Sequence, residues 1–287
     1  MTAGPDFICV GLPKAGTGWL FDQLNDHPDF WMPPVKELLY LVQPVSKMRF
    51  VSKRGEALPN PKGRERRIHR SDLDARDRAF LNTARACRNQ PMDLARYAEL
   101  FAPKGELLSG DISPPYWGLT PDMIETVAAR FPAAKIVLLV RDPVARAWSR
   151  ISMAWRSGLF DPGIANDAAK FRAYLADNRK IGGVRASEIA ERWRKQAPGL
   201  ALGIFLFDDI AERPDAALRD ILVFLGADPD KRGSNLAADF NRKADTEKLP
   251  MSDTARAVLA EHYAHELRAS APAFGGAAAG WAGKYGV

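Results

Sequence analysis

The stretch Phe7-Ile-Cys-Val10-Gly-Leu-Pro-Lys14-Ala-Gly16-Thr-Gly-Trp-Leu20 governs how the rest of the chain is read. Phe7 to Val10 is a short apolar run closed by Gly11 and Pro13, the pattern of a buried strand entering a tight turn. A helix is expected from about Thr17 to Asn25, with Leu20 and Leu24 one turn apart. The loop between them carries glycines that let the backbone turn sharply and aim its N–H groups at an anion. The helix points its free N–H groups and the positive end of its dipole at the same place. Thr17 adds a hydroxyl donor and Lys14 a full charge. Lys14, Ala15, Gly16, Thr17, Gly18 and Trp19 therefore form a candidate cradle for a phosphate or sulfate group. The plainer alternative is a strand–turn–helix corner in which Gly and Thr cap a helix.

The register narrows the ligand. A magnesium-nucleotide loop carries its Lys directly after the second Gly, with a metal-binding hydroxyl next to it. Here Lys14 stands two residues before Gly16. The dinucleotide pattern Gly-x-Gly-x-x-Gly is absent as well.

Outward from this loop, apolar strands alternate with helices. Pro121 to Phe131 reads as a helix with Pro at its first turn and Ile124, Val127, Ala128 and Phe131 on one side. Lys135 to Val140 is a near-continuous aliphatic run, as in a strand covered on both faces. Asp142 and Pro143 open a helix with the stripe Val144, Trp148, Ile151 and Trp155. Leu202 to Phe207 reads as a third buried strand, and Pro214 to Leu225 as an amphipathic helix closed by Gly226. A last helix is expected from about Ser252 to Leu267. The alternation predicts one α/β domain over residues 1–287, with a central parallel sheet flanked by helices in a three-layer, P-loop-like arrangement.

The 287 residues are 46% hydrophobic and 26% charged, which suits a globular chain with a real core and excludes disordered, collagen-like and coiled-coil classes. Clean apolar runs such as Ile136 to Val140 fall far short of the roughly 20 residues that cross a bilayer. No secretory signal is evident, and Cys9 and Cys87 are too few for a disulfide framework, so a reduced, cytoplasmic protein is expected. The net charge of +6 has one source. Residues 46–90 hold 13 basic and 5 acidic residues, leaving 28 and 30 elsewhere. The first half of this insertion reads as a loop, and its second half, capped by Ser71 or Asp72, as a helix. It is either a solvated surface insertion or a basic rim for an acidic acceptor. Only Phe50 and Phe80 offer stacking rings there, so nucleic acid is not the expected partner.

A second anion motif follows the strand Lys135–Val140. Arg141 sits at its C-terminal end, where open α/β sheets place ligands, and its planar fork suits a phosphate. Ser149, eight residues on, adds a neutral donor. Together the two segments resemble the sulfotransferases that use 3′-phosphoadenosine 5′-phosphosulfate (PAPS). The family's 5′-phosphosulfate loop, P-K-x-G-T-x-x-L, matches Pro13 to Leu20, and its 3′-phosphate motif, R-[DN]-P-x-x-x-x-x-S, matches Arg141 to Ser149. Val35-Lys36-Glu37, Gly110-Asp-Ile-Ser-Pro-Pro-Tyr116, Phe207-Asp-Asp-Ile210 before Pro214, and Pro250-Met-Ser followed by a helix and Trp281 agree as well. The style is closer to bacterial and carbohydrate-type members than to the phenol and steroid enzymes.

The resemblance implies sulfuryl transfer from PAPS, without a metal, to a hydroxyl or amine of a sugar, lipid or small natural product. It gives Lys14 the leaving phosphate and Glu37 the role of general base, and it places Lys36, Asp111 and Ser113 near the acceptor. Asn241-Arg242-Lys243 is loosely similar to the basic loop that closes over the 3′-phosphate. Some carbohydrate members carry a lysine where Ile112 stands here. His27, His69, His262 and His265 are scattered or helical and suggest no metal set. The competing readings are a P-loop-type nucleotide kinase and a basic nucleic-acid-binding protein.

Overall fold

A computed structural model of the chain describes residues 4–42, 48–51, 64–67, 72–87, 90–231, 233, 235–241 and 245–287. Its first half runs β1 (Phe7–Gly11), α1 (Thr17–Asp26), β2 (Met48–Val51), β3 (Arg64–Arg67), α2 (Ala75–Ala86), α3 (Leu94–Glu99), β4 (Gly110–Ile112) and α4 (Pro121–Arg130). There follow β5 (Lys135–Val140), α5 (Pro143–Arg156), α6 (Ala168–Asp177), α7 (Arg179–Gly182) and α8 (Ala186–Gln196). The C-terminal part holds β6 (Leu202–Leu206), α9 (Phe207–Glu212), α10 (Pro214–Leu225), α11 (Asp253–His262), α12 (Ala264–Phe274) and α13 (Trp281–Tyr285).

Four strands form a parallel sheet in the order β4-β1-β5-β6. Phe7 pairs with Gly110 on one side and Lys135 on the other, and Ile136 pairs with Leu202. Every residue of β1, and of β5 after Lys135, is buried, as expected for central strands covered on both faces. Each such Val, Leu, Ile or Phe contributes roughly 1.5–3 kcal/mol relative to its exposed state. All four C-terminal strand ends lie along one edge. The loop after β1, residues 113 onward, Arg141 and Phe207 are thereby gathered together.

The helices largely follow their sequence signals. Asp142 caps α5, its Oδ1 accepting from Val144 N–H at 2.9 Å and Ala145 N–H at 3.1 Å, and Pro143 occupies the first turn. Val144, Trp148 and Ile151 are buried beneath it. α10 ends at Gly226, whose left-handed φ of 86° lets its N–H bond back to Leu222.

Four expectations need correction. The helix in the basic segment is capped by Asp74, in a reciprocal box with Asp77, and not by Ser71 or Asp72. In the first half of that segment the backbone forms two short parallel strands, Met48 pairing with Arg64, where a loop was expected. Most of the rest of the segment lies outside the described residues. The third strand ends at Leu206, Phe207 opens α9, and β6 is a half-buried edge. The last helix is two helices, α11 and α12, parted at Tyr263. The Tyr263 hydroxyl donates to Ile181 O and accepts from Arg146 Nη2, fixing the break from another part of the chain.

Candidate active site

The loop after β1 is tied to its neighbour, with Leu12 N–H donating to Leu139 O at 2.7 Å. It turns through two left-handed residues, Lys14 (φ 73°) and Gly16 (φ 96°). A Cβ on Gly16 would stand 3.3 Å from Phe207 Cδ2 and 3.3 Å from Ile210 Cδ1, so α9 packs directly on the loop. A Cβ on Gly18 would meet nothing within 4 Å. Ala15 and Thr17 are buried. No side chain caps α1 at Gly16, and no acidic residue stands in its first turn. The start of α1 therefore keeps its positive end for an outside anion. Lys14 Nζ lies 4.0 Å from Met153 Sδ on α5.

Arg141 meets this loop. Its Nη1 donates to Lys14 O at 3.0 Å, and its guanidinium lies 4.2 Å above the Phe207 ring. Burial pulls Arg141 below the ordinary arginine value, and the charges of Asp142 and Asp208 act against that shift. An arginine so placed stays charged. Ser149 is half-buried two turns further along α5. The two motifs that the sequence separates thus share one sheet edge, with Lys14 and Arg141 in contact.

Glu37 lies on the loop after α1, in the left-handed region (φ 61°), as does Leu39 (φ 54°). Its side chain is 35% exposed, and its Oε1 accepts from Lys36 Nζ at 3.3 Å, the Lys36 side chain being 13% exposed. A buried network holds the following residues. Ser113 Oγ donates to Asp111 Oδ1 at 2.6 Å and accepts from Leu39 N–H at 3.0 Å. The Tyr116 hydroxyl donates to Asp111 Oδ2 at 2.6 Å and accepts from Leu41 N–H at 3.3 Å. The Tyr97 hydroxyl donates to the same Oδ2 at 3.0 Å.

Asp111 is only 1% exposed and Ser113 fully buried. Through Ser113 and Tyr116 this network holds Leu39 and Leu41, next to Glu37 in the chain. Burial raises the Asp111 carboxyl above the ordinary range, with the hydroxyl donors opposing, and pushes Tyr97 and Tyr116 well up. Cys9, beneath the same edge, is pushed up to about 12 by burial. Tyr97 was missed by sequence reasoning, since it stands 14 positions from Asp111 and on another element.

One stretch of chain is fastened to both site helices. On α1, Trp19 Nε1 donates to Ala238 O at 2.6 Å and Gln23 Nε2 to Ala237 O at 2.9 Å, while Asp26 accepts from Asn235 and Leu236. On α5, Trp148 Nε1 donates to Leu249 O at 2.7 Å, Ser152 Oγ accepts from Leu249 N–H at 2.8 Å, and Arg156 donates to Glu247 O. Arg242 and Lys243 lie outside the described residues. His262 meets Gly182 O at 2.8 Å, and no group of three or more His, Cys, Asp or Glu side chains suited to a metal occurs among the described residues. None of the helices, again among the described residues, is long and apolar enough to cross a membrane.

Comparison with known proteins supplies the chemistry. A sequence profile described as the Sulfotransferase family matches residues 5–231. No curated protein matches the chain. Among solved structures, a sulfotransferase from Alicyclobacillus acidocaldarius aligns over 98% of this chain and 99% of its own, with a TM-score of 0.64 and 20% identity. The sulfotransferase domain from the curacin biosynthetic pathway aligns over 91% of this chain and 98% of its own (TM-score 0.49, 15% identity). The sulfotransferase domain of the Synechococcus PCC 7002 olefin synthase aligns over 92% and 96% (TM-score 0.45, 17% identity). The first of these supports the fold, and the profile sets aside the nucleotide-kinase reading. With most of its length inside that match, the chain belongs to the sulfotransferase family, enzymes that transfer sulfuryl groups.

Proposed function

We propose that the protein, read as one sulfotransferase domain over residues 1–287, moves the sulfuryl group of PAPS to a hydroxyl or amine of a sugar, lipid or small natural product. The observation that carries this reading is the 3.0 Å contact between Arg141 Nη1 and Lys14 O, which brings both anion motifs to one sheet edge. The donor set fits the nucleotide: an uncapped helix start, a lysine and a left-handed glycine on one side, an arginine and a serine on the other. When bound, PAPS supplies the activated sulfuryl group.

The residues of the chain do the rest. The first-turn N–H groups from Gly16 to Trp19 orient the 5′ end, while Arg141 and Ser149 hold the 3′-phosphate. The Lys14 ammonium neutralises charge growing on the leaving phosphate oxygen. Glu37 accepts the acceptor's proton, and Lys36 keeps its carboxylate oriented through the 3.3 Å hydrogen bond. Holding the acceptor in line contributes by proximity.

The test pairs binding with turnover. Adenosine 3′,5′-bisphosphate, the spent nucleotide, raises the melting temperature and magnesium ATP does not. Incubation with PAPS and extracts of the source cell then gives products heavier by one sulfuryl group. Stabilisation by magnesium ATP alone overturns the reading.

A further inference from the structure

The short C-terminal helix α13 grips both flanks of Arg141. At one end Trp281 Nε1 donates to Asp208 Oδ1 at 3.3 Å. At the other, the Tyr285 hydroxyl and Lys284 Nζ donate to Asp142 Oδ2 at 2.7 and 2.9 Å. Asp208 directly follows Phe207, the ring beneath the guanidinium, and Asp142 directly follows Arg141 itself. Asp142 is almost wholly buried, and its other oxygen caps α5. The Arg256 guanidinium on α11 lies over the Tyr285 ring, 5.4 Å from its centre.

A guanidinium recognises phosphate by direction as well as charge, because its donors lie in one plane. The backbone after Arg141 and the ring under it set that plane, and α13 holds both. We propose that Tyr285 and Trp281 are positioning residues that fix the plane of Arg141 and thereby set the preference for a ligand bearing a 3′-phosphate. This rests on the reading above, in which Arg141 holds that phosphate. These side chains lie beyond residue 231, where the family match stops.

The experiment is calorimetric titration of the full chain with adenosine 3′,5′-bisphosphate and with adenosine 5′-monophosphate. Each ligand is tested on the parent, Arg141→Ala, Tyr285→Phe and Trp281→Phe, and melting temperatures are recorded for all four. The parent favours the bisphosphate and Arg141→Ala loses that preference. Tyr285→Phe and Trp281→Phe weaken the bisphosphate about five- to tenfold and leave the monophosphate within about twofold. A merely structural contribution moves both ligands together, and that result overturns the proposal, as does unchanged preference in Tyr285→Phe. If Tyr285→Phe does not fold, Lys284→Met removes the second donor to Asp142 and takes its place. If Arg141→Ala keeps the preference, the assignment of Arg141 fails and the clamp falls with it. If only the α13 variants keep it, the clamp alone fails.

Discussion

The Arg141 guanidinium donates to the carbonyl oxygen of Lys14 across 127 positions of sequence. The contact joins a residue at the end of β5 to the loop after β1, so each anion motif shapes the other. Arg141→Ala should weaken adenosine 3′,5′-bisphosphate binding by about 10- to 100-fold, the loss of one or two charge-assisted hydrogen bonds. Arg141→Lys keeps the charge without the fork and should recover only part of it. Titration of both variants checks this, and full affinity in the lysine variant would show that charge alone suffices.

Glu37→Gln preserves shape and removes the proton acceptor. Turnover should fall by about 10² to 10⁴ with nucleotide affinity unchanged. Steady-state kinetics alongside titration separates the two quantities, and turnover within a few-fold of the parent rejects Glu37 as the base.

Gly16 and Gly18 stand two residues apart and should respond oppositely. Gly16→Ala forces a side chain into the left-handed region at φ 96° and sets its Cβ 3.3 Å from Phe207 and Ile210. A loss of about 1–3 kcal/mol is expected in urea unfolding. Gly18→Ala enters open space at the start of a helix and should be neutral or slightly stabilising. Equal costs at the two positions would contradict the packing of α9 on the loop.

Burial raises the Asp111 carboxyl, so the folded state keeps its proton at pH values where the unfolded chain has lost it. Its contribution is present in full below the ordinary carboxylate range and is lost as pH climbs through the folded value. The stability advantage of the parent over Asp111→Asn should therefore shrink as pH rises above about 4, an advantage that grows as pH rises being the contrary result. Ser113→Ala, measured the same way, leaves the Leu39 N–H and Asp111 Oδ1 short of a partner and should cost about 1–3 kcal/mol.

What could be read in advance follows the range of the forces involved. α5 announced itself because Asp142-Pro143 states cap and first turn together, and Val144, Trp148 and Ile151 repeat at helical spacing. β1 and β5 were legible because strands covered on both faces are apolar at nearly every position. The break at Tyr263 was not legible. Val258, Leu259, Tyr263 and Leu267 carry the helical period straight through it, and the turn is held by Ile181 and Arg146 from elsewhere. The interior place of Asp111 was equally hidden, since an aspartate beside Ser113 and two prolines reads as an exposed loop. Its burial depends on hydroxyls from Tyr97 and Tyr116, 14 and 5 positions away. Lys14, Glu37 and Arg141 were named from short local patterns; that Arg141 touches Lys14 came only from the parallel order of the strands.

Trp19, Gln23 and Asp26 on α1, and Trp148, Ser152 and Arg156 on α5, fasten the two ends of one stretch of chain, Asn235 to Leu249. Residues 235–238 are thus fastened to a helix that starts beside Lys14, and residues 247–249 to one that starts beside Arg141. The cost of freeing either piece of chain falls on the two helices that open the anion-binding edge.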